Sequence, residues 1–271
     1  WGENEWRDFL RLKGTDPDSV TFTFGVTSNP NGGYWNKLLN VRPKPLTAED
    51  ARNSIDIAAA CEKGRSWNIK PSHHKASGAP VAAILNLSDM QLFKSEGGGV
   101  DATLDRLRDG LENFITEIHR QRLTHNINEL VIVNNGDPFE GIAGNYASQT
   151  HTVQGGLRAQ MNLVLDVWMN FAKILYPMFE KGQFVSVLCN HTEFGRQGGA
   201  AKSITSDSDN GSAFLAETLE RVLRMSPAFD HVEFTIPHDE MNVYTEAAGV
   251  TMAFNHGHKI PGNDVTGFEK W

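Results

Sequence analysis

The chain has 271 residues, of which 39% are apolar and 21% are charged, a balance typical of a globular protein with a sizeable core. No apolar run reaches the roughly 18–20 residues that a membrane span needs, and no signal-peptide pattern is present, so we predict neither a membrane span nor a secretion signal. Lys plus Arg total 25 and Asp plus Glu total 33, and the net charge of −8 disfavours tight passive binding of long duplex DNA. A local basic groove and bound divalent cations are compatible with this charge.

Two cysteines, Cys61 and Cys189, lie far apart in the sequence. We predict two buried free thiols in a reducing compartment, the cytoplasm, rather than the single disulfide that two cysteines would allow. The chain begins at Trp1 and ends at Trp271, and we expect it to be a piece of a longer polypeptide.

Residues 1–79 differ in pattern from the rest, and we predict that they form a small N-terminal segment with a linker. Strand-like runs at 20–26 and 34–42 flank Ser-Asn-Pro-Asn-Gly-Gly, which has strong turn chemistry and predicts a β-hairpin. A capping-box-like pattern predicts a helix over 47–64. Residues 64–79 have no periodicity and are predicted to be a linker or surface loop.

From residue 80 to residue 271 the pattern alternates between strands and helices, and this predicts a single α/β domain. Each short apolar run is typical of a buried strand, and each longer run with helical spacing is typical of an amphipathic helix. Strands are predicted at 81–87, 130–133, 184–188, 232–236, 241–246 and 250–255, and helices at 104–118, 155–180 and 211–225.

Polar side chains follow the three buried strands and the last strand, at the point where each strand ends. In open α/β sheets the ligand site lies at the carboxyl ends of the strands, so we expect these side chains to converge. The four segments are Ser88-Asp89-Met90-Gln91, Gly136-Asp137-Pro138-Phe139-Glu140, Asn190-His191-Thr192-Glu193 and His256-Gly257-His258.

The side chains in these segments offer carboxylate, amide and imidazole groups but no thiolate, a mixture that suits Mn²⁺, Fe or Zn²⁺. A His-x-His pair at a strand end places both imidazoles on one face, because side chains alternate along a strand. Two ions about 3.5–4 Å apart could be bridged by one carboxylate and a hydroxide. The sequence therefore predicts a two-metal site.

The order of these motifs resembles that of the calcineurin-like metallophosphoesterases, whose pattern is Asp-x-His, Gly-Asp, Gly-Asn-His, a separate His and Gly-His-x-His. The resemblance runs from about residue 80 to 258. It is closest to phage-encoded members, whose Gly-Asp-x-x-Glu-Gly and Asn-His-x-Glu segments stand here at 136–141 and 190–193. It implies an α/β sandwich of two β-sheets flanked by helices and, for a phage protein, the cytoplasm of an infected host cell.

The resemblance also implies a ligand role for one residue or more of each motif. Asp89 and His258 would bind the first ion, and Asp137 would bridge both ions. Asn190 and His256 would bind the second ion.

The implied activity is phosphoester hydrolysis by in-line attack of a metal-bridging hydroxide, with Asp137 as the bridging ligand and no covalent intermediate. His191 would protonate the leaving oxygen or stabilise the charge that develops there. The leading expectation is a phosphodiesterase or nuclease that acts on nucleic acid or nucleotides. Two alternatives are a phosphomonoesterase for a small molecule or phosphoprotein, and a catalytically weak metal-binding or scaffold module.

Three positions depart from the family pattern. Gln91 stands where the family has a metal-binding His, and its amide oxygen coordinates hard ions more weakly, which favours Mn²⁺ over Zn²⁺, Fe and Mg²⁺. Cys189 replaces the glycine before Asn-His. The separate His is unassigned: His238 is the positional candidate, with His231 behind it, and the alternative for His238 is an exposed turn histidine.

Several residues beside the motifs are further candidates. Glu140 and Glu193 either form hydrogen bonds to metal ligands or are solvated, and these alternatives are equally weighted. Three cations could meet substrate phosphates, although the ordinary interpretation of each is a surface residue. They are Lys94, Arg196 and Lys259.

Asn145 and Tyr146 follow the second motif in a loop. They are candidates for substrate contact, but ordinary loop polarity is the favoured interpretation. Neither residue belongs to one of the four motifs.

Overall fold

The structure is a computed structural model, and it describes residues 1–13, 17–18, 20–28, 34–43, 57–69, 78–142, 144–146, 148–196 and 203–260. Parts of three predictions lie outside the described residues. They are the hairpin turn at 29–33, the first part of the helix predicted at 47–64, and residues 70–77 of the predicted linker.

A four-stranded parallel sheet forms the centre of the fold, with its strands in chain order. The strands are β3 (Pro80–Leu87), β4 (Asn126–Asn134), β5 (Lys181–Ser186) and β6 (Val232–Thr235). The helices that connect them are α3 (Gly99–Gln121), α4 (Leu157–Leu175) and α5 (Gly211–Leu223). An antiparallel hairpin of β7 (Val243–Ala247) and β8 (Val250–Phe254) follows. The predicted α/β alternation is therefore confirmed.

The central strand β4 is buried on both faces and separates two apolar cores. Its Leu130 and Ile132 belong to the large core with the helices, and its Val131 and Val133 belong to a smaller core with the β7–β8 hairpin. Side chains alternate between the faces of a strand, which explains this division. Right-handed crossovers between strands in chain order place every connecting helix on the same face, so the hairpin covers the other.

The N-terminal segment contains the predicted hairpin and one helix that was not predicted. Its elements are α1 (Glu3–Leu12), β1 (Val20–Ser28), β2 (Tyr34–Pro43) and α2 (Ile57–Arg65), and β1 pairs antiparallel with β2. In α1, Trp6 and Leu10 are buried four residues apart on one face. Leu10 packs with Val20 and Val41 of the hairpin.

The helix α2 packs against the main domain rather than against the hairpin. Ala60, Cys61 and Trp67 contact the large core. A Cβ on Gly64 would lie 2.7 Å from the backbone oxygen of Val222 in α5, so this helix sits close to α5. The end of α2 at Arg65 agrees with the predicted helix end.

The prediction of free thiols is confirmed, and several strand boundaries are shifted. Cys61 and Cys189 are both free thiols, but only Cys189 is buried, because Cys61 packs at the partly exposed edge of the large core. The strand predicted at 130–133 is observed at Asn126–Asn134, and the strand predicted at 241–246 is observed at Val243–Ala247. No helix in the described part of the chain is long and apolar enough to cross a membrane. The strand predicted at 184–188 is observed at Lys181–Ser186, because the polar residues that begin β5 pair with β4 and β6.

Candidate metal centre

Backbone hydrogen bonds join the loops that follow β3 and β4. The N–H of Asp89 donates to the carbonyl of Gly136 at 3.0 Å, and the N–H of Gln91 donates to the carbonyl of Asp137 at 2.9 Å. Asp89 and Asp137 have φ values of 52° and 50°, in the left-handed region that side chains rarely occupy. Such conformations concentrate at functional sites, where surrounding contacts enforce them.

Asp89, Asp137 and His256 converge at the carboxyl edge of the parallel sheet, as the strand-end pattern predicted. Each residue offers one ligand atom, and these atoms all lie within 4.8 Å of one another. Asp137 is buried, His256 is half-buried and Asp89 is exposed. A buried carboxylate needs a compensating charge, so this group can hold a metal ion.

The contacts of His256 define which of its nitrogens faces the other ligand atoms. Nδ1 lies 3.0 Å from the carbonyl of Asn135, which can only accept, so Nδ1 carries a proton. Nε2 then faces Oδ2 of Asp137 and Oδ1 of Asn190, both at 3.1 Å. Burial lowers the pKa of His256, but the hydrogen bond and charge of Asp137 outweigh burial and raise it. A proton or a metal ion on Nε2 would satisfy both oxygens, so the donor set fits a cation.

Gly136 provides the space that His256 occupies. A Cβ at this position would lie 2.3 Å from Nδ1 of His256, and the backbone has a φ of +101°. Both observations require glycine before Asp137.

The amide of Asn190 is oriented by Asn145. Nδ2 of Asn190 donates to Oδ1 of Asn145 at 3.3 Å, which leaves Oδ1 of Asn190 directed toward His256. Asn145 therefore has a specific partner in a predicted ligand, a contact that neither interpretation of Asn145 included. No sequence pattern marks this residue, because the contact joins loops from two different strands.

His191 lies beside Asp137 and outside the three-residue ligand group. Its backbone N–H donates to Oδ1 of Asp137 at 3.1 Å, and its ring Nδ1 donates to the carbonyl of Glu140 at 2.8 Å. Its ring Nε2 lies 3.8 Å from Oδ2 of Asp137. Burial lowers the pKa of His191, but the hydrogen bond to Glu140 and the charge of Asp137 outweigh burial and raise it. This placement suits a proton donor at Nε2.

Glu140 is fully buried next to His191, so the interpretation of Glu140 as a solvated carboxylate is wrong. Oε1 accepts from the hydroxyl of Tyr146 at 2.7 Å, and Oε2 lies 3.4 Å from Nδ1 of His191. Burial raises the pKa of Glu140, but the hydrogen bonds from His191 and Tyr146 outweigh it and lower the pKa. Tyr146 thus contacts the carboxylate beside His191, and the favoured interpretation of Tyr146 as an ordinary polar loop residue did not include this contact.

The side chain of Gln91 contacts Lys94 and His191. Oε1 of Gln91 accepts from Nζ of Lys94 at 3.0 Å, and Nε2 of Gln91 lies 3.5 Å from Nε2 of His191. Lys94 also forms an ion pair with Glu96 at 3.6 Å. Gln91 therefore links Lys94 to His191 at the rim of the centre.

His258 lies beside His256, and its Nε2 is 3.8 Å from Oε1 of Glu193. Burial, followed by the positive charge of His256, lowers the pKa of His258 to about 4, so its imidazole is neutral near pH 7. Glu193 is buried and accepts from Nε of Arg196 at 2.7 Å, so the solvated interpretation of Glu193 is also wrong. Lys259 forms an ion pair with Asp207.

The two remaining histidine candidates lie away from the ligand group. His238 is exposed on the turn after β6, where its N–H donates to Oε2 of Glu240 at 2.8 Å. This placement agrees with the alternative of an exposed turn histidine. His231 lies at the opposite, amino end of β6, where its Nε2 donates to the carbonyl of Tyr176 at 3.1 Å.

No protein-family model matches the chain, and no curated protein is significantly similar to it. The chemistry of the candidate metal centre therefore rests on its own residues. The observation that bears most directly on function is the convergence of acceptor atoms from Asp137, Asn190 and His256, with Asp89 beside them.

Proposed function

We propose that this protein is a two-metal-dependent phosphoester hydrolase of the calcineurin-like kind, and that it acts as a phosphodiesterase or nuclease on nucleic acid or nucleotides. The observation that carries the proposal is the approach of His256 Nε2 to Asp137 Oδ2 and Asn190 Oδ1, at 3.1 Å each. The order of the motifs along the chain adds support. The parallel sheet, with helices on one face and the β7–β8 hairpin on the other, is compatible with a sandwich fold.

Asp89, Asp137, Asn190 and His256 would hold the ions, with His258 as a further candidate ligand. When bound, the ions would supply positive charge to the phosphate and an activated water. The oxygen and imidazole donors suit Mn²⁺ best, because the described centre contains no thiolate and Gln91 replaces a histidine. Fe, Zn²⁺ and Mg²⁺ are the other ions to be tested.

His191 would protonate the leaving oxygen from Nε2. Its Nδ1–H is held by the carbonyl of Glu140, and this contact orients the ring with Nε2 on the side of Asp137. The carboxylate of Glu140 favours the charged imidazolium, which is the form that donates a proton. Tyr146 holds the carboxylate of Glu140 in place.

Hydrolysis assays with Mn²⁺ test the proposal. The substrates are bis-p-nitrophenyl phosphate, p-nitrophenyl phosphate, single-stranded DNA and duplex DNA, each with the wild-type chain and with Asp137→Asn. Asp230→Asn, which changes an exposed aspartate, is the matched control. We expect Mn²⁺-dependent cleavage of diesters by the wild type and the control, and its loss in Asp137→Asn.

The two rival functions make different predictions in the same assays. Hydrolysis of p-nitrophenyl phosphate alone would identify a phosphomonoesterase. No turnover on any substrate, together with no bound metal in elemental analysis, would contradict both enzymatic functions and leave a scaffold role.

A further inference from the structure

A cavity of about 390 Å³ lies beside the candidate metal centre, between the loops that follow β4 and β5. Its size falls within the range of about 300–1,000 Å³ that small-molecule sites occupy. His191 forms part of its wall, whereas Asp89, Asp137 and His256 are not among the described residues that line it. The backbone N–H of His191 donates to Oδ1 of Asp137 at 3.1 Å, so the cavity adjoins a predicted metal ligand.

One part of the wall is apolar and includes an accessible aromatic ring. Ile142, Leu157 and Phe194 line it, and Phe194 is 38% exposed. A Cβ on Gly211 would lie 3.1 Å from Cζ of Phe194 and 2.7 Å from Cζ of Phe139, so both rings rest against the start of α5. Phe194 is thus supported on one side and open on another.

Another part of the wall carries a positioned cation. Nε of Arg196 donates to Oε2 of the buried Glu193 at 2.7 Å, and the stem of Arg196 lies 3.5 Å from the place of a Cβ on Gly144. A guanidinium held in this way can stack on a planar ring or bind a phosphate oxygen. The cavity therefore combines an aromatic face, apolar walls and a guanidinium held in an ion pair with Glu193, which also lines the cavity.

We infer that this cavity is a substrate subsite beside the candidate metal centre and that it takes a nucleoside of the phosphodiester, with the base stacked on Phe194. The inference rests on the proposed function and specifies its substrate class. A nucleoside is the part of such a substrate that offers a planar ring, and the accessible face of Phe194 with the apolar wall suits that ring. The cavity borders His191, whose backbone N–H donates to Asp137, so a nucleoside bound there lies beside the predicted metal centre.

Adenosine binding to the metal-free protein tests the subsite without any hydrolysis. Isothermal titration calorimetry should give saturable binding to the wild type and an affinity about tenfold weaker for Phe194→Ala, since base stacking contributes at this scale. Tyr244→Ala removes a 62% exposed aromatic ring from the β7–β8 hairpin and is the matched control. Absence of adenosine binding to the wild type, or equal binding by Phe194→Ala, would overturn the inference.

Steady-state kinetics with Mn²⁺ then separates the subsite from the proposed function. The two substrates are a dinucleoside monophosphate and glycerophosphocholine, a diester without aromatic rings. Phe194→Ala should raise the KM for the dinucleoside monophosphate, divided by the KM for glycerophosphocholine, about tenfold. Tyr244→Ala should leave that ratio unchanged. An unchanged ratio in Phe194→Ala would overturn the subsite. If the wild type hydrolyses neither diester, the proposed hydrolase function is contradicted, and adenosine binding alone tests the cavity.

Discussion

The Nε2 atom of His256 lies 3.1 Å from Oδ2 of Asp137, although these residues belong to loops that follow different strands. The other ring nitrogen of His256 is held by the carbonyl of Asn135 at 3.0 Å. Two oxygens, from Asp137 and Asn190, thus face one imidazole nitrogen whose tautomer is defined by its neighbour. A cation at this point would satisfy all three atoms, and the following predictions test that interpretation.

Gly136→Ala should weaken Mn²⁺ binding by about tenfold or more, because metal affinity is sensitive to the contacts that orient a ligand. The new methyl group would lie 2.3 Å from Nδ1 of His256, and the φ of +101° would be strained for alanine. Isothermal titration calorimetry with Mn²⁺ gives the affinity. The matched control is Gly110→Ala, where a Cβ meets open space in α3 and should stabilise the fold by roughly 0.5–1 kcal/mol. Equal Mn²⁺ affinity in the two variants would contradict the role of Gly136.

Asn145→Ala should lower Mn²⁺ affinity about tenfold, since the amide of Asn190 would lose the partner that orients it. A double-mutant cycle with Asn190→Ala measures the coupling between the two amides. We expect Asn145→Ala to have little further effect once Asn190 is removed. Additive losses would show that Asn145 acts by another route.

His191→Ala should retain Mn²⁺ affinity and lower kcat by about 10²–10⁴-fold, because a general acid would be lost while the three ligand residues remain. Calorimetry and diester hydrolysis measure the two quantities on the same sample. His119→Ala changes an exposed histidine on α3 and serves as the control. A loss of metal binding in His191→Ala would instead place His191 among the ligands.

Tyr146 should make the free energy of unfolding fall between about pH 10 and pH 12. Burial, with the nearby charge of Glu140, raises the pKa of Tyr146 from its ordinary value of 10.0 to about 12, so the folded state favours the neutral phenol. A raised pKa contributes stability that is present below the unfolded pKa and is lost as pH rises through the folded one. Urea unfolding at about pH 9 and about pH 11 should show a smaller loss for Tyr146→Phe than for the wild type. Identical losses would contradict the raised pKa of the half-buried Tyr146.

The convergence of Asp89, Asp137 and His256 could be predicted because a parallel sheet brings the ends of its strands to one edge. Apolar runs of residues mark those strands, and the polar residues that follow them stand out. The same reasoning did not predict the contact of Asn145 with Asn190, which depends on the distance between loops that follow β4 and β5. It also did not decide between the buried and solvated states of Glu140, since burial depends on how the following loop folds over it.

Two differences between the predicted and the observed elements also arise from tertiary contacts. The helix α1 was not predicted, because only Trp6 and Leu10 of this highly charged segment are buried and its packing depends on the hairpin. The strand β5 begins at Lys181, before its apolar residues, because pairing with both neighbouring strands extends it. In both cases a tertiary contact decides a local structure.

Anomalous diffraction from crystals soaked with Mn²⁺ locates the bound ions. We expect a Mn²⁺ peak coordinated by Asp89, Asp137 and His256, with Oδ1 of Asn190 in contact with bound metal. A second peak beside His258 would identify the other ion of the pair. Full occupancy of Mn²⁺ elsewhere on the protein, with none among Asp89, Asp137 and His256, would show that these residues are not the metal centre.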